Sequence, residues 1–124
     1  MPKSSAELHH SLRKIQLERR VFVRHLARVR EVAIGCVSVV QRKCGKPNCH
    51  CAQGGGHSQT LFQFQGDDGR RRCKLVRQAD AAKLLRAGDR YRDFRADLRK
   101  LRAINKREEQ ILAELMERNA VHYE

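Results

Sequence analysis

The N-terminal segment, residues 1–33, has the apolar spacing of an amphipathic helix. Its apolar positions follow one another in alternating steps of four and three residues, which places them on one helix face; they are Leu8, Leu12, Ile15, Phe22, Leu26, Val29 and Ala33. Arg19 breaks this seam. Ser4 or Ser5 is suited to cap the helix, because a serine hydroxyl accepts hydrogen bonds from the first free backbone N–H groups.

The middle segment, residues 34–78, has the composition of a small antiparallel sheet. From Val32 the sequence "VAIGCVSVVQRKC" is rich in β-branched residues, which favour strands. Two further runs, "LFQFQ" (61–65) and "RRRCKLV" (70–76), flank "GDDG" (66–69), whose residues are typical of a tight turn. We therefore expect about three strands, with a hairpin joining the last two.

The C-terminal segment, residues 79–124, has the spacing of a second and longer helix, which we expect to start with Asp80 as its cap and to end near Asn119. Gly88 costs this helix about 1 kcal/mol relative to alanine and is a candidate bend. The apolar seam consists of Leu84, Tyr91, Phe94, Leu98, Leu101, Leu112 and Leu115, with Ile104 and Ile111 beside it.

Two helical seams joined by a compact sheet predict an α+β fold in which the C-terminal helix pairs with the N-terminal helix. The pairing is either an antiparallel pair or a dimeric coiled coil. Asn105 and Glu108 interrupt the second seam, and polar groups in such seams fix register or partner. We expect Arg19 to pair with Glu108, within a chain or between chains. The predicted pairing residues are Leu12, Ile15, Arg19, Phe22, Leu26, Phe94, Leu98, Leu101, Asn105 and Glu108.

The stretch "RKCGKPNCHCAQGGGH" (42–57) holds the candidate ligands of one structural zinc ion, namely Cys44, Cys49, Cys51 and His57. Three thiolates and one imidazole complete a tetrahedral zinc site, and zinc binding supplies folding free energy to a segment that lacks a core. Cys73 ranks second to His57 as the fourth ligand, and His50 ranks last. If they are not ligands, Cys36 and Cys73 are expected to be small buried hydrophobic residues.

The net charge of +13 predicts attraction to a polyanion, with nucleic acid favoured over an anionic membrane surface. Residues 69–107 carry a net +11 and the last seventeen residues carry −4. The candidate contacts are Arg42, Lys43 and Lys46 around the cysteine loop, Arg70, Arg71, Arg72 and Lys74 at the hairpin, and Arg92, Arg95, Arg99, Arg102 and Lys106 along the second helix. We expect the hairpin arginines to lie next to the metal loop. For the helix, the alternative is a solvated face with intrahelical ion pairs to neighbouring aspartates.

The cysteine loop, the strand that follows it, "GRRRCKLV" and the long charged helix resemble a widespread, poorly characterised family of short prokaryotic proteins. The shared pattern is a Cys-Gly-x-x-x-Cys-x-Cys loop, a Gly/His stretch, a β-hairpin and a C-terminal helix, and the resemblance covers about residues 30 to 110. It implies that Cys44, Cys49, Cys51 and His57 are the positions carried over. Genes of that family often lie near transposases or site-specific recombinases, which implies an accessory role in a mobile element.

These observations together favour a non-enzymatic, zinc-stabilised nucleic-acid-binding protein, with DNA preferred over RNA. The implied protein partner is a recombinase- or transposase-like enzyme, or a second copy of the chain bound through the helices. The alternatives are a coiled-coil adaptor with a purely structural zinc, and an RNA-binding subunit of a ribonucleoprotein. The sequence has no apolar signal region or membrane-length run, so we expect a cytoplasmic, nucleoid-associated protein without a membrane partner.

Overall fold

A computed structural model describes residues 3–123, and it confirms the predicted α+β fold. Helix α1 is Ser5–Ala27, strands β1, β2 and β3 are Cys36–Arg42, His57–Gln65 and Arg71–Val76, and helix α2 is Gln78–Arg118. The outermost residues of the two predicted terminal segments, 1–2 and 124, lie outside the described residues. Neither α1 nor α2 is long and apolar enough to cross a membrane.

The contacts divide the chain into two compact units. One unit runs up to Val29 and resumes at Phe94, and we call it the helical unit. The other is Arg30–Asp93, and we call it the sheet unit. This grouping differs from the three consecutive segments that the sequence predicts, because α2 contributes its first part to the sheet unit and its second part to the helical unit.

In the helical unit, α1 and α2 pack together as an antiparallel pair, which is one of the two predicted arrangements. Glu18 Oε2 lies 3.7 Å from Arg107 Nη1, and His25 Nε2 lies 3.4 Å from Asp97 Oδ2. The order of these pairs along α2 is the reverse of their order along α1. The predicted pair between Arg19 and Glu108 does not form within the chain, since no ion pair of the described residues joins them. Their neighbours Glu18 and Arg107 form an ion pair at this position along the two helices instead.

Four large apolar side chains are buried between these helices, namely Leu8, Ile15, Leu26 and Ile104. The Oγ of Ser4 caps α1 by accepting the N–H of Glu7 at 3.2 Å, as predicted. The helix ends at Ala27 rather than continuing to Ala33, because the N–H of Arg28 turns back to the carbonyls of His25 and Leu26.

The sheet unit contains one antiparallel sheet with the strand order β1-β2-β3. Arg42 of β1 pairs with His57 at the start of β2, and Gln65 at the end of β2 pairs with Arg71 of β3. The central strand β2 therefore has the cysteine loop at one end and the hairpin turn 66–69 at the other, so the turn predicted from "GDDG" is confirmed.

The strand predicted from Val32 begins at Cys36 instead. Ala33 uses its N–H to bond the carbonyl of Ala87 in α2 at 3.1 Å, so this part of the chain contacts the helix and does not pair with β2. Gly35 then approaches β2 so closely that a Cβ on it would lie 2.3 Å from the carbonyl oxygen of Gln63. Only glycine fits this approach, which directs the chain into β1.

Helix α2 begins two residues before Asp80, which lies in the first turn rather than at the cap. A carboxylate in that turn still interacts favourably with the helix dipole. The helix continues through Gly88, whose role is packing: a Cβ at this position would lie 3.0 Å from Cγ2 of Val37. The missing side chain lets α2 lie directly against β1.

Candidate metal centre

The four predicted ligands lie at the junction of β1 and β2, and the strand register explains how they meet. Cys44 comes two residues after the end of β1, whereas His57 is the first residue of β2. The pairing of the last residue of β1 with the first residue of β2 brings both ends of the loop side by side. Cys51 lies in a single 3₁₀ turn, His50–Ala52, and Cys49 is the N-cap residue of that turn.

The ligand atoms of Cys44, Cys49, Cys51 and His57 all lie within 4.8 Å of one another. The sulfur atoms of Cys44 and Cys51 are 3.4 Å apart, and Sγ of Cys49 is 3.1 Å from Nε2 of His57. Zinc–sulfur bonds of about 2.3 Å in a tetrahedron separate two sulfur ligands by about 3.8 Å. The spacing of the four donor atoms therefore fits one metal ion.

Two glycines shape the loop around these ligands. Gly45 and Gly56 have φ values of 80° and 89°, in the left-handed region that favours glycine. A Cβ on Gly56 would lie 2.6 Å from the carbonyl carbon of Arg42, so this position also needs a residue without a side chain. Gly56 thereby allows the chain to return alongside β1 and deliver His57. The sequence shows a run of three glycines, but it does not show which of them needs the left-handed conformation.

Backbone N–H groups act on the thiols of the site, which sequence reasoning did not identify. The backbone N–H of Lys46, and to a smaller extent the Cys51 thiol, lower the pKa of Cys44 to about 7. The backbone N–H of Cys44 donates to Sγ of Cys51 at 3.4 Å. That bond lowers the pKa of Cys51, but burial and the neighbouring thiols outweigh it, so the pKa of Cys51 is raised.

The structure places the two other candidate ligands outside the cluster. Cys73 pairs with Gln63 in the sheet, and Gln63 pairs in turn with Cys36, so the three form one row across the strands. The prediction that Cys36 and Cys73 are buried is wrong: both thiols are exposed on this row. His50 stands edge-on to His57 with ring centroids 5.6 Å apart and is not among the clustered donors.

The predicted basic contacts of the sheet unit form two separate groups. The metal-loop cluster comprises Arg42, Lys43 and Lys46, and the hairpin cluster comprises Arg70, Arg71, Arg72 and Lys74; all seven are exposed. The clusters flank opposite ends of β2, which at about 3.3 Å per residue is about 26 Å long. The prediction that the hairpin arginines lie next to the metal loop is therefore wrong, because the antiparallel register carries them to the far end of the sheet.

Two members of the hairpin cluster have partners within the sheet unit. Arg72 Nη2 lies 3.1 Å from Oδ2 of Asp68, and Nζ of Lys74 lies 6.0 Å from the centroid of the Phe64 ring. Phe64 stacks in turn on Phe62, with centroids 4.9 Å apart. These contacts hold the two cations on one side of the hairpin.

The predicted basic stripe of α2 is exposed along its length, and it consists of Arg92, Arg95, Arg99, Arg102 and Lys106. Its members recur at intervals of three and four residues, which places them on one side of the helix. Arg92 Nη2 lies 2.9 Å from Oδ1 of Asp89, so one of the aspartates does form the intrahelical ion pair that the solvated-face alternative predicts.

Comparison with known proteins identifies a family but no characterised relative. The sequence model of a family described as a domain of unknown function, DUF6788, matches residues 12–86. The match covers more than half of the chain, so the chain belongs to this family. It includes most of α1, the whole sheet, the four clustered donors and the start of α2, and it ends before the limit of about residue 110 that the resemblance predicts. The chain matches no curated protein and no solved structure.

Proposed function

We propose that this member of the DUF6788 family is a non-enzymatic nucleic-acid-binding protein whose sheet unit is stabilised by one zinc ion, and that duplex DNA is its ligand. The observation that carries the proposal is the position of two exposed basic clusters at opposite ends of one short sheet, one of them on the loop that holds the four metal donors.

Zinc is the ion that this donor set favours. Structural zinc sites are tetrahedral, with cysteine and histidine ligands in combinations that include three cysteines and one histidine. Four protein donors fill a tetrahedral shell, so a bound zinc would have no open position for a water or a substrate. The ion would therefore have a structural role. It would hold the β1–β2 junction in place and, with it, the basic side chains of the metal-loop cluster.

The separation of the two basic clusters matches DNA in scale. A distance of about 26 Å corresponds to about eight base pairs at 3.4 Å each, so the two clusters would contact phosphate groups less than one helical turn apart. Arginine suits such contacts because its guanidinium group bonds two phosphate oxygens at once. Within the hairpin cluster, Arg70 and Arg71 would contribute most, since Arg72 is already paired with Asp68.

The mobile-element context extends the proposal. The resemblance described for the cysteine loop implies an accessory protein that works beside a recombinase- or transposase-like enzyme. In that role the sheet unit would hold DNA, and the protein would bridge it to the enzyme without catalysing a reaction.

A binding titration against three kinds of nucleic acid tests the proposal. The zinc-loaded protein is titrated against three labelled ligands, a DNA duplex, a single strand and a structured RNA, and fluorescence anisotropy is measured. The duplex has about 20 base pairs, which is more than twice the proposed footprint. We expect tightest binding to the duplex, with affinity falling by about three to five decades between 50 and 200 mM salt if six to ten phosphates are contacted. Binding that is absent at physiological salt would favour the adaptor alternative, and a preference for the RNA would favour the ribonucleoprotein alternative.

The contact surface is tested by removing three cations at a time. The variant Arg70→Ala/Arg71→Ala/Arg72→Ala should bind the duplex at least tenfold more weakly, with a salt slope lower by about one for each phosphate that the variant no longer binds. The control Arg13→Ala/Lys14→Ala/Arg24→Ala removes the same charge from exposed positions of α1. Equal weakening in the two variants would show that net charge alone drives binding, and would contradict the proposed surface. Duplexes shorter than about eight base pairs should also bind more weakly than longer ones, because they cannot reach both clusters.

A further inference from the structure

Helix α2 has more apolar surface in the helical unit than α1 covers. Ile104 is buried against α1 at 6% exposure, whereas Leu112 and Met116 are 49% and 68% exposed. Three further apolar residues, Phe94, Leu98 and Leu101, are only half-buried. A helix that packs against a single neighbour usually buries one stripe, so these residues form a second one.

The second stripe lies on one side of α2. Each residue of an α-helix is rotated by 100° about the helix axis relative to the one before it. Measured in this way from the direction of Ile104, the members of the second stripe point between about 60° and 120°. We call this set the outer stripe; it consists of Phe94, Leu98, Leu101, Asn105, Leu112 and Met116. It also contains much of the heptad seam that the sequence predicts, which the contact with α1 leaves partly uncovered.

We propose that the outer stripe is the docking surface for a second copy of this chain, with the two α2 helices packed antiparallel about a two-fold axis. Heptad spacing is the pattern that lets a helix pack against an identical helix. A two-fold contact uses the same surface of both copies. Assembly therefore stops at two chains, and neither outer stripe remains exposed. The inference does not depend on the proposed DNA binding.

The distribution of charge along α2 favours a second α2 helix as the partner, and it favours antiparallel over parallel packing. From Phe94 to Arg107 the helix carries six basic residues and one acidic residue, whereas from Glu108 to Arg118 it carries four acidic residues and one basic residue. Antiparallel packing places the basic part of one copy against the acidic part of the other. Parallel packing would place like charges side by side, which is destabilising.

One register satisfies the heptad spacing and the charges together. It places Arg102 of one copy beside Glu109 of the other, and Leu101 against Leu112. Both members of the charged pair are exposed within one chain and belong to none of its ion pairs among the described residues. In the same register Asn105 lies opposite Glu108 of the second copy, where a side-chain hydrogen bond would fix the alignment.

The first test removes the apolar surface without changing charge. Sedimentation equilibrium of the zinc-loaded full chain at about 1–100 µM, a range that covers micromolar dissociation constants, should give twice the chain mass of 14.4 kDa. In Leu112→Gln/Met116→Gln we expect the dimer dissociation constant to rise at least tenfold, with helix content by circular dichroism unchanged because both side chains are exposed. The matched control is Leu17→Gln/Val21→Gln, which changes two residues that are each 61% exposed on the side of α1 away from α2.

The control should remain dimeric. A monomeric wild-type chain at the highest concentration would overturn the inference, and so would a Leu112→Gln/Met116→Gln variant that dimerises as the wild type does. Loss of the dimer in the α1 control alone would place the interface on α1 and overturn it as well.

The second test addresses direction. Arg102→Glu and Glu109→Arg should each weaken the dimer roughly threefold to tenfold, since an attractive exposed pair becomes repulsive twice in the symmetric contact. The double variant Arg102→Glu/Glu109→Arg exchanges the charges and should restore the wild-type dissociation constant. If Arg102→Glu instead tightens the dimer, two copies of Arg102 face each other and the antiparallel arrangement is wrong.

Discussion

The two units of this chain have different interiors. In the helical unit the buried apolar residues are leucines and isoleucines from two facing helices, such as Ile15 and Ile104. Among the side chains of the sheet unit whose burial the structure describes, they are alanines and Cys51 of the candidate metal centre, while Phe62 and Phe64 are half-buried beside an open groove of about 580 Å³. Apolar burial stabilises roughly in proportion to the area removed from water, so we expect the sheet unit to depend far more on a metal ion bound by the four clustered donors.

The largest expected effect comes from removing the most buried ligand. In Cys51→Ser we expect the sheet unit to lose its amide protection, because an incomplete zinc site gives up much of the binding free energy, about 10–16 kcal/mol in zinc-finger peptides, that supports folding. Hydrogen exchange resolved by mass spectrometry should show fast exchange in β1 and β2. Residues 5–27 should remain protected, since the contacts of the helical unit do not include the metal site.

The control for that variant is Cys36→Ser/Cys73→Ser, which changes the two exposed cysteines of the sheet. We expect wild-type exchange and one zinc ion per chain. Equal damage in both variants would mean that any cysteine substitution disrupts the sheet, and would remove the special role of the four clustered donors.

The next effect tests the other unit. Ile104→Ala should destabilise the helical unit by about 2–5 kcal/mol, the usual cost of removing a large buried apolar side chain. Urea unfolding followed by circular dichroism at the helix band measures the change, and zinc affinity should not change. If zinc binding weakens in proportion, the two units do not differ in the way their interiors indicate.

Two neighbouring glycines of the metal loop should respond differently to substitution. Gly56→Ala should lower zinc affinity at least tenfold, because its φ is 89° and its Cβ would overlap the backbone at Arg42. Gly55→Ala should have little effect, since a Cβ there meets nothing within 4 Å. Competition with a colorimetric zinc chelator measures both variants. Equal affinities would show that the loop adjusts and that Gly56 does not determine the position of His57.

The last effect concerns pH. The pKa of Cys44 is lowered to about 7 and that of Cys51 is raised, so at pH 8 Cys44 is already a thiolate while Cys51 must still release a proton to bind metal. Below about pH 7 protons compete for Cys44 as well. Zinc affinity should therefore fall with decreasing pH, by about tenfold per unit for each thiol that must lose a proton, and more steeply below pH 7 than above it. The same chelator competition at pH values on both sides of the Cys44 pKa measures it, and a flat profile would contradict the assignment of these thiols as ligands.

Patterns that act locally were predictable from the sequence, and those that depend on distant partners were not. Helix periodicity and turn residues located α1, the sheet and α2, and the cysteine spacing located four donors that the fold does bring together. The start of β1 was misplaced because Ala33 bonds to Ala87, a contact far away in sequence. The burial of Cys36 and Cys73 was mispredicted because both thiols lie on an uncovered row of the sheet, which strand alternation alone does not reveal.

The arginine arrangement shows the same limit. The sequence predicts that the hairpin arginines lie next to the metal loop, but antiparallel pairing places Arg70 and Arg42 at opposite ends of β2. The side of α2 that meets α1 was also predicted incompletely. Ile104, assigned only to the flank of the seam, is buried against α1, because the apolar arc of the helix is wider than one partner requires.

Whether a metal ion replaces an apolar interior in the sheet unit is tested most directly by native mass spectrometry combined with hydrogen exchange before and after chelation. We expect one zinc ion per chain, and selective loss of protection in β1, β2 and β3 when the ion is removed, with α1 unchanged. A correctly folded protein that carries no transition metal and keeps its strands protected in strong chelator would contradict this expectation.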